Sequence, residues 1–318
     1  HAVESVVERL VKLYRRSGRE AAIPLLYAAV GRAFERFGEM GDALLAATVY
    51  QTSMDAYRVA GLPADADRML RLIEQSNLAS HAQMQRHEHR IEIPKEKVEE
   101  FLQQVIQGSL EESFERIAVN FLMKRKAMEQ GVQEMALEAP LSAMIAQTRI
   151  QGDRVVAQIG STEDDPIGRL IDHTNYHLNF STVWLGWAFD RLQSTYKPSP
   201  DDIAAWANRT GLFGDGRLLA DGLAAWAAED HMKALHVLVP QIEAAFRMLV
   251  GRLGRPTTKA HPQMRQARMV VTMGEVLFHE ETPVALGKNG ADLVLHFRTL
   301  YADPRGHNLR NDIAHGIL

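Results

Sequence analysis

The residues best suited to chemistry stand close to the C-terminus, in the stretch Gly306-His-Asn-Leu-Arg-Asn-Asp-Ile-Ala-His-Gly-Ile-Leu318. It reads as the start of a helix. Asn308 has the side chain of an N-cap, able to accept from the free N–H groups of a first turn. Gly306 before it supplies a chain reversal. At 100° per residue, Leu309, Ile313 and Ile317 fall on one stripe that can bury. Asn311 and His315, four apart, are neighbours on another face. Arg310 lies between the two faces, and Ala314 keeps the surface between Arg310 and His315 low. The spacing therefore predicts a guanidinium, a carboxamide and an imidazole gathered around a helix N-terminus, a place where a phosphate can be held.

The run Leu309-Arg310-Asn311-Asp312-Ile313-Ala314-His315-Gly316 resembles the signature of the HEPN superfamily of small all-helical domains, in which an Arg followed by a polar residue precedes a His by four to six residues. The upstream segment Leu238-Val-Pro-Gln-Ile-Glu-Ala-Ala-Phe-Arg247 adds to the match, and the resemblance covers about the last third of the chain. It implies a metal-independent endoribonuclease that acts as a homodimer on RNA, without a cofactor. By the same analogy it implies a toxin or an antiviral defence effector of a prokaryote. In such chemistry the 2′-hydroxyl is the internal nucleophile, charge builds on a phosphorane, and the leaving 5′-oxygen needs a proton. His315 suits proton transfer, because an imidazole has an ordinary pKa near 6.5. Arg310 suits the phosphate, because its fork is permanently charged and binds two oxygens. Asn311 would position the phosphate or fix the tautomer of the imidazole. One imidazole does not easily serve both sides of an in-line displacement, and a twofold dimer with a composite site supplies a second. The expected products are a 2′,3′-cyclic phosphate and a 5′-hydroxyl. The competing reading is that Arg310 and Asn311 pair locally and His315 packs in a helix bundle, since the bare spacing has many false positives.

The upstream run 229–253 presents Leu235, Val239, Ile242, Phe246, Leu249 and Leu253 on one face, with His236, Glu243 and Arg247 along its flank and Pro240 inside it. In the HEPN-like reading this flank faces the terminal motif, and Glu243 orients Arg310 or His315 with Arg247 in support. The plainer reading is a solvated Glu243–Arg247 pair worth about 0.3–0.5 kcal/mol.

Bulk properties narrow the choices. The chain has 318 residues, enough for one large or two medium domains. A net charge of −4 gives no global basic field, so an RNA substrate needs a local basic patch. The absence of cysteine excludes disulfide scaffolds, thiolate metal sites and cysteine nucleophiles. There is no phosphate-binding loop, dinucleotide fingerprint or serine-nucleophile elbow. No secretory signal is evident and no apolar run reaches the length of a membrane span, so no membrane role and a cytoplasmic location are expected. The chain starts at His1, not Met, and stops three residues after His315; the reading expects a different natural N-terminus and a helix that continues beyond Leu318. His173 and His177 have metal-binding spacing but lack the carboxylate of a zinc-protease motif, so polar packing against Tyr176 or Trp184 is expected. His81, His87 and His89 read as a solvated helix end. Trp184, Trp187, Trp206 and Trp226 read as core or interface.

These residues need a scaffold, and helical periodicity supplies it almost everywhere. Helices are predicted over 3–16, 20–37, 42–60, 64–90, 95–107, 110–130, 140–151, 166–195, a run ending at Thr210 capped by Asp201 or Asp202, 217–228, 229–253, 263–281, 289–302 and the terminal helix. Only Val155–Gly160 reads as a short strand. Ala28, Gly31, Ala33-Phe34, Gly41-Asp42, Ala46, Tyr50, Ala56-Tyr57 and Gly61-Leu62 loosely resemble tetratricopeptide-like helix pairs. The class is all-α, with an N-terminal helical-hairpin array followed by a C-terminal HEPN-like helical bundle. Boundaries are placed to give 1–92, 93–215 and 216–318, the second in the glycine-rich Gly211–Gly216. The N-terminal helices are expected to sense, scaffold or bind a regulatory protein. Two other functions fit the same residues: a non-catalytic helical adaptor using the fold for dimerisation or nucleotide binding, and a peptide-binding module with a groove in 20–130.

Overall fold

The computed structural model describes residues 2–83, 92–151 and 154–317. Helix makes up 71% of it and each of its two sheets has only two strands, so the chain is all-α, as its periodicity predicts. Contacts group His1–Arg90 with Thr148–Gln158, and Ile91–Gln147 with Ile159–Leu318.

The N-terminal unit contains α1 (Ala2–Arg16), α2 (Ile23–Glu39), α3 (Ala43–Val59) and α4 (Pro63–Gln83). Asp42 caps α3 by accepting from the Leu45 N–H at 2.9 Å. Helix α3 packs on both α2 and α4, burying Ala46, Tyr50, Met54, Tyr57, Ala66, Met69 and Ile73. The close approach of α2 to α3 requires glycine: a Cβ on Gly31 would lie 2.7 Å from the Tyr57 ring, and one on Gly38 2.5 Å from the Tyr50 ring. Ser53 Oγ donates to the Gly31 carbonyl at 2.7 Å across the same contact. The small and aromatic positions of the tetratricopeptide-like pattern thus encode helix-to-helix packing. The end of the helix expected over 64–90, with His87 and His89, lies outside the described residues.

The C-terminal unit begins with α5 (Lys95–Val105), α6 (Leu110–Asn120), α7 (Arg125–Glu138) and α8 (Pro140–Met144). The single helix expected over 110–130 is two. The break at residues 121–124 is held by α15 (Gly290–Phe297), where the Met123 N–H donates to His296 Nδ1 at 3.3 Å and the Arg125 N–H to Asp292 Oδ1 at 2.8 Å. Tertiary acceptors here replace the helical ones. The helix expected over 140–151 stops at Met144. Strand β1 (Gln147–Gln151) follows and pairs with β2 (Arg154–Ile159); Thr148–Gln158 of this hairpin groups with the N-terminal unit, and β2 overlaps the one strand the sequence predicts.

Next come α9 (Pro166–Tyr196), α10 (Pro200–Ala207), α11 (Arg217–Ala227) and α12 (His231–Arg252). Ser199, not Asp201 or Asp202, caps α10, with Asp202 completing a reciprocal capping box. Trp187 and Trp206 pack on a core of Leu102, Val105, Phe114, Ile117, Ala188 and Leu192. Trp184 meets Phe101 and Trp226 meets Phe189 edge-on. The glycine-rich loop expected to divide domains lies inside this unit. Asn208 spans it, donating to Gly214 O at 3.0 Å and accepting from the Phe213 N–H at 2.9 Å, while Arg252 of α12 donates to the carbonyls of Thr210 and Gly211.

The expected helix over 263–281 is mostly absent. Strands β3 (Thr258–Ala260) and β4 (Arg268–Val270) pair antiparallel with Lys259 opposite Met269. The β-branched run Val270-Val271-Thr272 favours this, and a Thr272–Glu275 capping box then starts α13 (Met273–Phe278). After α14 (Thr282–Ala285) and α15, a π-helical turn (Arg298–Ala302) leads to α16 (Leu309–Ala314). Among the described helices only α12 is long and apolar enough to cross a membrane, and its Val239, Phe246 and Val250 are part of a core shared with Met273, Val276, Leu277, Tyr301 and Ala302.

Candidate functional site

Glu243 on α12 is the hub that joins the upstream segment to the terminal motif. Leu309 and Ile313 pack on the α12 core, as their stripe predicts, and this lays α16 along α12. Arg310 Nε then donates to Glu243 Oε2 at 3.1 Å, and Arg247 Nη1 reaches Glu243 Oε1 at 3.3 Å. The Met273 N–H, at the start of α13, donates to the same Oε1 at 3.1 Å. The Glu243 side chain is only 13% exposed and both guanidiniums are 29% exposed, so a nearly buried carboxylate sits between two half-open cations. Glu243 thus contacts both Arg310 and Arg247.

Asn311 is drawn in through its neighbour. Arg310 Nη1 donates to Asn311 Oδ1 at 3.1 Å, and Asn311 Nδ2 donates to Asn308 Oδ1 at 2.7 Å. Asn308 therefore stands at the N-cap position without capping the helix through its side chain. It has φ 55°, and its side-chain oxygen takes the Asn311 amide where a first-turn N–H was expected.

His315 is placed differently from the expectation. Helix α16 has six residues and ends at Ala314. Gly316 follows at φ 64°, and the Ile317 N–H returns to the Asp312 carbonyl at 2.9 Å, a glycine C-cap that stops the helix. Arg310 and His315 thus stand at opposite ends of one short helix and are not gathered at its N-terminus. The His315 side chain is exposed and makes no hydrogen bond among the described residues. His236 bonds back to Met232 O at 2.8 Å on its own helix and takes no part.

The loop that delivers α16 is fixed by a charge network that lies outside the terminal motif. Asp303 is fully buried and accepts from Arg298 Nε at 3.0 Å and from Arg305 Nε and Nη2 at 2.9 and 3.0 Å. Arg305 also reaches both carboxylate oxygens of Asp165. Burial alone would raise the Asp303 carboxyl, but the Arg305 hydrogen bonds and the charges of Arg305 and Arg298 outweigh it and hold it below its ordinary range. Gly306 has no room for a side chain, since a Cβ would lie 2.0 Å from the Thr299 carbonyl. The alternation of Arg298, Asp303 and Arg305 was the signal available in the sequence.

The cations between 247 and 268 are mostly committed. Arg252 holds the glycine-rich loop, Arg255 pairs with Glu281, and Lys259 pairs with Glu275. Arg265 and Arg268 are exposed and have no partner among the described residues.

No protein-family model matches the chain, and no curated protein or solved structure matches it significantly. The residues themselves therefore carry the functional argument.

The other candidates resolve as packing. His173 and His177 stack edge-on at 4.6 Å, and His177 also meets Tyr176 at 5.8 Å. Burial, with the nearby His177, pushes the His173 imidazole down. Among the described residues no group of three or more His, Asp or Glu is arranged to hold a metal. In the N-terminal unit, a recess of about 320 Å³ is lined by Arg32, Glu35, Arg36, Tyr57, Asp65 and Arg68 among others; Glu35 there accepts from Tyr57 Oη at 2.6 Å and from Arg68. That recess is charged and small, not an extended peptide groove.

Proposed function

We propose that the chain is a metal-independent endoribonuclease of HEPN type, with Arg310 as phosphate clamp, His315 as proton carrier, and Asn311, Glu243 and Arg247 as positioning residues. The observation that carries the reading is the Glu243 bridge, which ties the two separate segments of the family-like pattern through one carboxylate. A carboxylate between two guanidiniums fixes the plane of Arg310 while leaving one face of its fork for a phosphate oxygen. The His315 imidazole is exposed and accessible to a substrate from outside. A second copy of the chain would bring a second imidazole for the leaving 5′-oxygen.

A second reading has an observation of its own. Nε and Nη1 of Arg310 are both satisfied within the chain, which suits a helical adaptor that uses the motif to fix its terminal helix. The experiment that separates the two is cleavage of mixed transfer, messenger and ribosomal RNAs in EDTA, comparing the wild type with His315→Ala and Arg310→Ala after equal folding is verified. The nuclease reading expects EDTA-resistant cutting with 2′,3′-cyclic phosphate and 5′-hydroxyl ends, abolished by both substitutions. Cutting that survives both substitutions, or no cutting by the folded chain on any RNA, overturns it.

A further inference from the structure

Away from the terminal motif, α7, α8 and α9 enclose a recess of about 400 Å³ within the C-terminal unit, a size ordinary for small-molecule sites. Its walls are mainly apolar: Val132, Met135 and Ala136 on α7, Ala139 between α7 and α8, and Ala143 on α8, the three alanines leaving the space. Arg169 of α9 lies in the wall and is only 8% exposed. Its Nε donates to the Gly160 carbonyl at 2.7 Å, and its Nη2 donates to the carbonyls of Ser142, at 3.2 Å, and Ile145.

Those three acceptors are neutral. Arg169 has no ion pair among the described residues, so a buried cation stands without a counter-charge. Buried charges are ordinarily paired, because removing an ion from water is costly. Nη1 has no acceptor, yet it is not among the fully buried polar atoms that lack one. It is therefore accessible, and the recess is the opening that Arg169 lines. The three carbonyl bonds fix the guanidinium, so Nη1 is a preset donor with a net positive charge behind it.

We propose that this recess binds a small monocarboxylate with an apolar body, its carboxylate on Arg169 Nη1 and its hydrocarbon against the alanine-lined wall. Asp172 shares the lining and has its own partner. Its charge selects against ligands with two negative charges, which favours a carboxylate over a phosphate. Thr162 and Gln147 in the lining offer further polar contacts. The proposal is independent of the ribonuclease reading, since none of these residues takes part in the Glu243–Arg310 cluster.

Titration calorimetry of the full chain with octanoate, benzoate and 2-naphthoate, each beside its primary amide, tests it. At least one acid should bind at a single site, about tenfold or more tighter than its amide, because the amide loses the charge-assisted bond. Ala136→Phe fills the recess from a helical position and should weaken that acid at least about tenfold. Ala143→Leu serves the same purpose should Ala136→Phe misfold. An amide as tight as its acid, binding unchanged by filling the recess, or no binding of any of the three acids at millimolar concentration overturns the proposal.

Discussion

His296 sets a pH dependence of stability that can be worked out in advance. Its Nδ1 accepts the Met123 N–H at the break between α6 and α7, so the fold requires the neutral ring. Burial pushes its pKa down from the ordinary 6.5 to about 4. For a base whose folded pKa is depressed, the unfolded chain takes up a proton first as pH falls, so stability is lost between pH 6.5 and 4. At 1.36 kcal/mol per unit, the full loss is about 3 kcal/mol, of which about 1.4 kcal/mol has accrued at pH 5.5, where carboxylates have barely begun to titrate. The chain has 13 histidines, and His173 is shifted in the same direction, so the isolating measurement is a difference. In His296→Asn the amide oxygen can replace Nδ1 as acceptor but does not titrate. Urea unfolding of both proteins at pH 7.5 and 5.5 should show the wild type losing about 1.4 kcal/mol more than the variant. Parallel losses in the two proteins would refute the assignment of a neutral, buried acceptor at His296.

Asp303→Asn should cost about 3 kcal/mol, because Arg298 and Arg305, each 19% exposed, lose their shared counter-charge. As Asp303 has a depressed folded pKa, its contribution is present above about pH 3.9 and is lost below, so the gap between variant and wild type in urea unfolding should close as the solution is acidified. Glu243→Gln should cost less, about 1–2 kcal/mol in the same measurement, because both of its arginines are 29% exposed, and should abolish RNA cleavage along with Arg310→Ala. Gly31→Ala should cost about 1–3 kcal/mol through the clash with the Tyr57 ring, and a double-mutant cycle with Tyr57→Val should show the two costs to be strongly non-additive.

Helical periodicity was legible because most helices bury one face: α9, α11 and α12 fall within a residue or two of their expected limits. Two of the errors have a common cause. At residues 121–124 the chain leaves the helix because His296 and Asp292, far away in sequence, take its N–H groups, and no local pattern carries that information. The glycine-rich loop mimics a linker because glycine composition cannot reveal that Asn208 and Arg252 clamp its carbonyls and amides. In the terminal segment, Leu309 and Ile313 showed their burial in advance, and Glu243 could be paired with Arg310 through the resemblance. The early stop at Gly316 was written in the sequence as a glycine after the last periodic residue, and the expectation of a longer helix overlooked it. Arg169 was invisible because an arginine after Gly168 at a helix start reads as surface, whereas here it is turned inward onto three carbonyls.

The ribonuclease reading makes a further quantitative demand on charge. With a net charge of −4, RNA must be attracted locally, and Arg247, Arg255 and Lys259 are each paired with a carboxylate. The cations left for phosphates in this region are Arg265, Arg268 and the open part of Arg310. Each phosphate neutralised on a single strand contributes about −0.7 to the slope of log affinity against log salt, so about three contacts give a slope near −2. Fluorescence anisotropy of a labelled single-stranded RNA with the His315→Ala variant, titrated at several salt concentrations, measures that slope without cleavage. Arg265→Ala together with Arg268→Ala should reduce its magnitude to below about 1. A slope near zero would mean that phosphates are not being bound at all. A slope steeper than about −4 would mean that the ion pairs of Arg247, Arg255 and Lys259 open to the substrate, and that cations now satisfied within the chain are part of its RNA-binding surface.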